Sequence, residues 1–338
     1  MKGPARVTVV GAGSWGTAIA GLLAGKGLPV CLWAREPEVV DAIRSSGDNA
    51  VFLPGVRLPP ALEVTNDLRE AVSGAGVIVS VSPAQHVRAV MEPIAAGLEA
   101  DVQIISASKG IEIRSLERMD GVFRALLTPR QMETFTVISG PSFAAEVAAG
   151  APTAVVVASA SEEARLQAQA LFQTDVFRVY TTPDVIGVEL AGALKNVIAL
   201  AAGVVAGLGF GHNTRAALMT RGLAEIARLG IRMGALRETF AGLAGMGDLV
   251  LTCTGELSRN RTVGYRLGRG ESIQSILGEM HTVAEGVATV EAVVALAERE
   301  GVDMPIASEV HAILTQGRAP REAIRRLMMR DPKPEDWS

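Results

Sequence analysis

Along its first half the chain alternates short, β-branched apolar runs with Ala- and Leu-rich stretches. The β-branched runs lie at 6–10, 30–33, 77–81, 103–106, 135–138, 154–158 and 176–180, with helical stretches between them. That is the pattern of strands buried on both faces, as in a parallel sheet whose crossovers are helices. Residues 62–65 add a short edge strand, and the Pro/Gly-rich stretch 52–60 reads as loop. After 180 the strand pattern stops. Thr181-Thr182-Pro183-Asp184 offers a capping hydroxyl, a proline for the first helical position and an acid for the first turn, so a helix is expected to open there. Helical stretches follow at 184–208, 214–229, 236–244, 258–267, 272–277, 285–300 and 307–314. The fold class expected is α/β: an N-terminal, mostly parallel sheet domain over 1–182 and a C-terminal all-α domain over 183–338. A polar, proline-broken tail runs from about 331.

Composition narrows the partners. Lys plus Arg number 32 against 36 Asp plus Glu, a formal net charge of −4, so there is no basic excess to hold nucleic acid or an anionic bilayer. The longest uncharged apolar run, 197–210, is shorter than the ~20 residues a membrane span needs and reads as a buried helix, so no membrane insertion is expected. The first residues lead straight into a strand with no room for a cleaved leader, which points to the cytoplasm. The two cysteines, Cys31 and Cys253, form no Cys-x-x-Cys. His86, His212, His281 and His311 show no ligand spacing, so no metal is expected.

The sharpest local signal is Gly11-Ala12-Gly13-Ser14-Trp15-Gly16, a G-x-G-x-x-G between the first strand and an Ala-rich helix. Gly11 suits the tight turn, Gly13 lets backbone approach a pyrophosphate, and Gly16 lets helix and strand pack closely, with the helix N-terminus facing the phosphate charge. A glycine-rich turn would share the spacing, but the position at the first βα crossover favours a Rossmann-type dinucleotide site. Cofactor choice is read at the end of the second strand, where an acid on the ribose 2′-hydroxyl marks NAD. Here the strand ends Leu32-Trp33-Ala34 and Arg35 follows. NADPH is therefore preferred, with Arg35 on the 2′-phosphate and NADH still possible; an ordinary solvated arginine is the plain alternative.

Residues just past strand ends become candidates for the reacting end. Lys109 follows the fourth strand, where a cation can reach a carbonyl or phosphate oxygen or stand as a solvated loop lysine. The turn Ser139-Gly140-Pro141-Ser142 opens a short helix with free amides and a hydroxyl. In the helical half, Lys195 is the single lysine of an apolar, glycine-punctuated stretch. Burial lowers a lysine pKa toward the range useful for proton transfer, and a structural salt bridge is the alternative. Asp248, flanked by glycines, is placed to orient that lysine or a substrate hydroxyl. Ser258, Arg259 and Asn260 gather hydroxyl, guanidinium and amide at one helix start, a combination suited to a phosphate or to a capped, solvated helix.

Taken in order, G-A-G-S-W-G-T-A at 11–18, S-A-S-K-G-I-E at 106–112, S-G-P-S-F-A-A-E at 139–146, E-L-A-G-A-L-K-N at 189–196, G-M-G-D-L at 245–249 and S-R-N-R at 258–261 closely resemble the soluble bacterial glycerol-3-phosphate dehydrogenase family. The resemblance implies reversible, NAD(P)H-dependent reduction of dihydroxyacetone phosphate, a phosphorylated triose, to sn-glycerol 3-phosphate, the precursor of glycerophospholipids. It implies that Lys195 is the proton donor and acceptor, and that Lys109, Gly140, Ser142, Asp248, Ser258, Arg259 and Asn260 surround the substrate. Ser14, Trp15, Arg35, Lys109, Ala144, Arg259, Val283 and Glu285 would touch the dinucleotide, with Trp15 in place of the Phe or Tyr often found there. The glycine-rich stretch 192–211 suits close helix packing within the domain or against a second subunit, and a homodimer is expected. Two rivals stand beside this reading: a β-hydroxyacid dehydrogenase, which shares the Lys-Asn pair but takes a carboxylate, and a nucleotide sensor without turnover.

Overall fold

In the computed structural model the described residues are 5–280, 284–332 and 334–335; the expected contact Val283 lies outside them. The chain forms two compact units, residues 1–108 with 119–185, and residues 109–118 with 186–338. The stretch 109–118, which the sequence pattern places with the sheet, groups with the helices instead because its ion pairs are made there.

The first unit is built on eight strands: β1 (Arg6–Val10), β2 (Val30–Trp33), β3 (Glu63–Thr65), β4 (Ala75–Ser80), β5 (Gln103–Ser106), β6 (Thr136–Ser139), β7 (Thr153–Ala158) and β8 (Phe177–Thr182). They lie in the order β8-β7-β6-β5-β4-β1-β2-β3. Every neighbouring pair is parallel except β6 and β7. Strand order reverses beside β1, and the loop leaving β1 is therefore at the crevice where such sheets take ligands. Helix α1 (Ser14–Gly25) packs Ile19 and Leu23 against Val9, Leu32 and Val79, all fully buried.

Two expectations need correction in this unit. The stretch 52–60 is not all loop, because Leu53–Arg57 pairs antiparallel with Asp48–Asn49. An isolated two-stranded ladder tolerates Pro54 and Gly55, which a central strand would not. The helix expected from 184 begins at Val185; Asp184 stands before it, its amide donating to the Thr182 hydroxyl at 3.3 Å.

The second unit is helical. Helix α2 (Val185–Gly207) is long and apolar enough to cross a bilayer, yet 94% of its most apolar window is buried in the protein. Around it lie α3 (His212–Arg232), α4 (Asp248–Thr254), α5 (Arg259–Gly268), α6 (Glu285–Glu300) and α7 (Pro305–Gln316). Pro320–Met328 adds a further helix that the sequence pattern does not single out. Helices α2 and α5 meet backbone to backbone: a Cβ on Gly203 would lie 2.1 Å from the Arg261 carbonyl oxygen, and one on Gly264 would lie 2.0 Å from that of Leu200. These glycines therefore serve packing inside the unit. The helix expected over 236–244 is Arg237–Ala241, followed by a wide π-type turn at Leu243–Gly247 that leads directly into α4. Gly242, Gly245 and Gly247 interrupt the regular helix, and wide turns of this kind recur at functional sites.

Candidate active site

The loop after β1 is held by backbone. Gly11 has φ +120°, and a Cβ there would meet the Val81 and Ser82 backbone at 3.1 Å; a Cβ on Gly16 would sit 1.8 Å from the Gly11 carbonyl oxygen. Only glycine fits at either position. Gly13 is different: nothing lies within 4 Å of where its Cβ would be, and it caps α1 without any side-chain bond. The first amides of α1 thus have no side-chain cap, with the helix dipole behind them. The Trp15 indole nitrogen in the same turn is buried with no partner among the described residues. An open backbone cradle with an orphaned donor fits a dinucleotide pyrophosphate and ribose.

Asn49 fixes this loop and was missed in the sequence. Fully buried, it donates from Nδ2 to the Ala12 carbonyl at 2.8 Å and to the Thr17 hydroxyl at 2.9 Å. No local pattern marks it, because the bond spans 37 residues. Ser14 donates its hydroxyl to the Phe52 carbonyl at 2.5 Å, so the side chain ties the loop to the small ladder. Arg35, 72% exposed, is paired with Glu36 at 2.8 Å. At the ends of β4, β5 and β6, the hydroxyls of Ser80, Ser106 and Ser139 are buried without a partner among the described residues. Gly140 follows with φ +142°, its carbonyl accepting from Ser142 at 3.1 Å, and Ala144 starts the short helix Ala144–Ala148.

In the helical unit, side chains from distant segments converge. Lys195 on α2 is 7% exposed, and its ammonium donates to Asp248 Oδ1 at 2.6 Å and to the Thr252 hydroxyl at 2.8 Å. Thr252 in turn donates to the Asp248 carbonyl at 2.6 Å. Among the described residues two of the three ammonium donors are taken, which leaves one N–H for a substrate oxygen. Lys109 donates to the other carboxylate oxygen, Oδ2, at 2.8 Å. Asp248 and Thr252 are one turn apart on α4; that i, i+4 spacing was available in the sequence but was not used to find Thr252.

The charges follow from this geometry. Burial, with the like charge of Lys109 beside it, lowers the Lys195 pKa to about 8 against the pull of Asp248. Burial alone would raise the Asp248 carboxyl, but Lys109 and Lys195 hold it below its ordinary value. Lys109, Lys195 and Arg259 set against Asp248 and Glu285 leave one positive charge in excess even with both carboxyls ionised, which favours an anionic substrate and a developing oxyanion. Cys253, next to Thr252, is pushed up to about 12 by burial and stays a thiol.

The phosphate candidates divide. Arg259, exposed in the first turn of α5, acts on Glu285, whose pKa burial raises while Arg259, Lys109 and Lys195 draw it down. Ser258 caps α5 by accepting the Arg261 amide at 3.2 Å. Asn260 donates to Asn196 Oδ1 at 3.0 Å and accepts the Gly286 amide at 3.0 Å, so its amide is engaged at both ends. The Arg261 Nε, in contrast, is buried without a protein partner.

A family model described as NAD-dependent glycerol-3-phosphate dehydrogenase N-terminus matches residues 6–165, and its C-terminus counterpart matches 184–325. The chain is 56% identical over 332 residues to a protein of Geobacter sulfurreducens named glycerol-3-phosphate dehydrogenase (NAD(P)+), covering 98% of this chain and 99% of that relative. It is 58% identical over 330 residues to its namesake in Geobacter metallireducens, covering 98% of each. A crystal structure of glycerol-3-phosphate dehydrogenase from Coxiella burnetii matches with a TM-score of 0.92 at 38% identity, over 97% of this chain and 99% of that one.

Proposed function

The chain belongs to the NAD-dependent glycerol-3-phosphate dehydrogenase family, and from that premise we propose how its residues share the reversible reduction of dihydroxyacetone phosphate to glycerol 3-phosphate. Lys195 is the general acid of the reduction and the general base of the reverse reaction. The observation behind this is the buried ammonium with two donors fixed by Asp248 and Thr252 and a third left over. A ketone becoming an alcohol gathers negative charge on its oxygen, and a fixed ammonium beside that oxygen stabilises the charge and then delivers the proton. Asp248 holds the amine in place, and Lys109 adds a second cation on the same carboxylate. Arg259 grips the remote phosphate, whose binding energy orients the reacting carbon. The dinucleotide, when bound, supplies the hydride. Gly11 and Gly16 shape the turn that lets its pyrophosphate approach the backbone at Gly13 and the uncapped end of α1, and Trp15 offers its indole N–H.

NADPH is the preferred form. Arg35 lies just past β2, exposed and held only by the adjacent Glu36 among the described residues, and a 2′-phosphate offers it a stronger, bidentate partner. The test is dihydroxyacetone phosphate-dependent consumption of NADPH and NADH in the wild-type chain and in Arg35→Ala. The expected result is turnover with both, higher kcat/KM with NADPH, and a loss of about tenfold to a hundredfold in Arg35→Ala confined to NADPH. Equal loss with both cofactors would remove the 2′-phosphate role, and no turnover with either would remove the reaction.

A further inference from the structure

The stretch 109–118 is a tight hairpin with its own bonds. Ile111 and Arg118 form an antiparallel bridge. The Glu112 amide donates to the Glu117 carbonyl at 2.9 Å and the Leu116 amide to the Glu112 carbonyl at 2.8 Å. Leu116 takes φ +58°, an uncommon choice for a bulky residue that the hairpin imposes. Lys109 enters this hairpin and Arg118 leaves it, and each end makes a buried ion pair. Lys109 reaches Asp248, with side-chain exposures of 16% and 2%, and Arg118 Nε reaches Glu189 Oε2 at 3.2 Å, with exposures of 14% and 3%.

Glu189 stands on α2, the same helix that carries Lys195. Six residues along a helix are about 9 Å, so the anchor and the catalytic amine ride on one rigid element. A lysine has many rotamers, and fixing its ammonium on one oxygen costs side-chain entropy unless the backbone beneath is already held. From these contacts we infer that the Arg118–Glu189 ion pair is a positioning device: it registers the hairpin on α2 so that Lys109 meets Asp248 beside Lys195. Arg118 acts on the catalytic amine through Lys109.

The inference rests on Lys195 being the acid, and the two fail differently. Lys195 faces Asp248, Lys109 and Glu285, with Arg259 beyond Glu285 and the neutral Cys253 beside it. Letting Lys109 drift away removes a like charge and gives Lys195 the whole of the carboxylate, so its pKa rises. The experiment is a double-mutant cycle in the full chain, comparing Arg118→Ala, Lys109→Ala and the double variant by kcat, KM and the pH profile of dihydroxyacetone phosphate reduction. Arg118→Lys and Glu189→Gln serve as the milder second set. Arg118→Ala should lower kcat/KM about tenfold, move the basic limb to higher pH, and add nothing in the Lys109→Ala background; Arg118→Lys should recover part of the loss. Folded Arg118→Ala and Glu189→Gln proteins with the wild-type pH profile, or additive losses in the double variant, would overturn the positioning role. If Lys109→Ala and Lys195→Met both turned over normally, the fault would lie in the acid assignment, not in the clamp.

Discussion

The nucleotide loop and the lysine centre reach rigidity by opposite means. In the turn from Gly11 to Gly16 the working groups are backbone amides, and contacts as short as 1.8 Å to a hypothetical Cβ exclude side chains at Gly11 and Gly16. Around Lys195 the working groups are side chains, contributed by residues 109, 195, 248 and 252 and joined by bonds of 2.6–2.8 Å. A backbone site is written in adjacent residues, because one turn makes it. A side-chain centre is written nowhere in particular, because tertiary folding brings its members together.

The difference predicts distinct failures. The largest effect belongs to Lys195→Met, which removes the proton source and the charge: kcat should fall by about 10²–10⁴ while dinucleotide affinity is kept, as fluorescence titration of the cofactor would show. Gly16→Ala should do the reverse. A methyl placed 1.8 Å from the Gly11 carbonyl oxygen forces the turn open, so cofactor binding should weaken and the melting temperature drop by an amount matching about 1–3 kcal/mol, with Lys195 chemistry retained at saturating cofactor. A change that damaged kcat and cofactor affinity equally in either variant would break the contrast.

The smallest effect comes from a group outside both regions. Glu225 on α3 is 3% exposed and accepts the Ile306 amide at 2.9 and 3.1 Å and the Ala307 amide at 3.4 Å, capping α7 from a neighbouring helix. Burial raises its pKa from 4.5 to about 7, against the downward pull of those amides. The folded state therefore holds this proton more tightly than the unfolded chain. Its contribution is fully present below the unfolded value and is lost as pH rises through about 7. The stability of the wild type relative to Glu225→Gln should fall between about pH 5 and about pH 8, read from paired thermal melts.

Legibility followed the same division. The order of strands and helices was visible because both faces of the sheet are covered and strands such as Val30–Trp33 are wholly apolar. The loop at 11–16 was visible because glycine spacing is itself the geometry. The small ladder was not: Pro54 and Gly55 argue for loop, and only the partner Asp48–Asn49 makes Leu53–Arg57 a strand. Lys195 stood out as the single lysine of an apolar helix, and Asp248 as an acid just after two glycines, but nothing local joined them across 53 residues. Thr252, Asn49 and Glu225 share that obstacle, since each matters through a bond to a distant segment. Ser258 and Asn260, whose types suit a phosphate, also make structural bonds that no local pattern announces, Ser258 in capping and Asn260 to Asn196 and Gly286.

The central claim is that the buried Lys195 ammonium supplies the proton. The most direct measurement is kcat/KM for dihydroxyacetone phosphate reduction against pH, at saturating NADPH, with Lys195→Met as control. A lysine brought down to about 8 by burial must be protonated to act as the acid, so the wild-type rate should fall as pH rises through about 8, and the residual rate of the variant should lack that limb. A wild-type profile that stays flat to about pH 10, or a variant that keeps the same limb, would contradict the account.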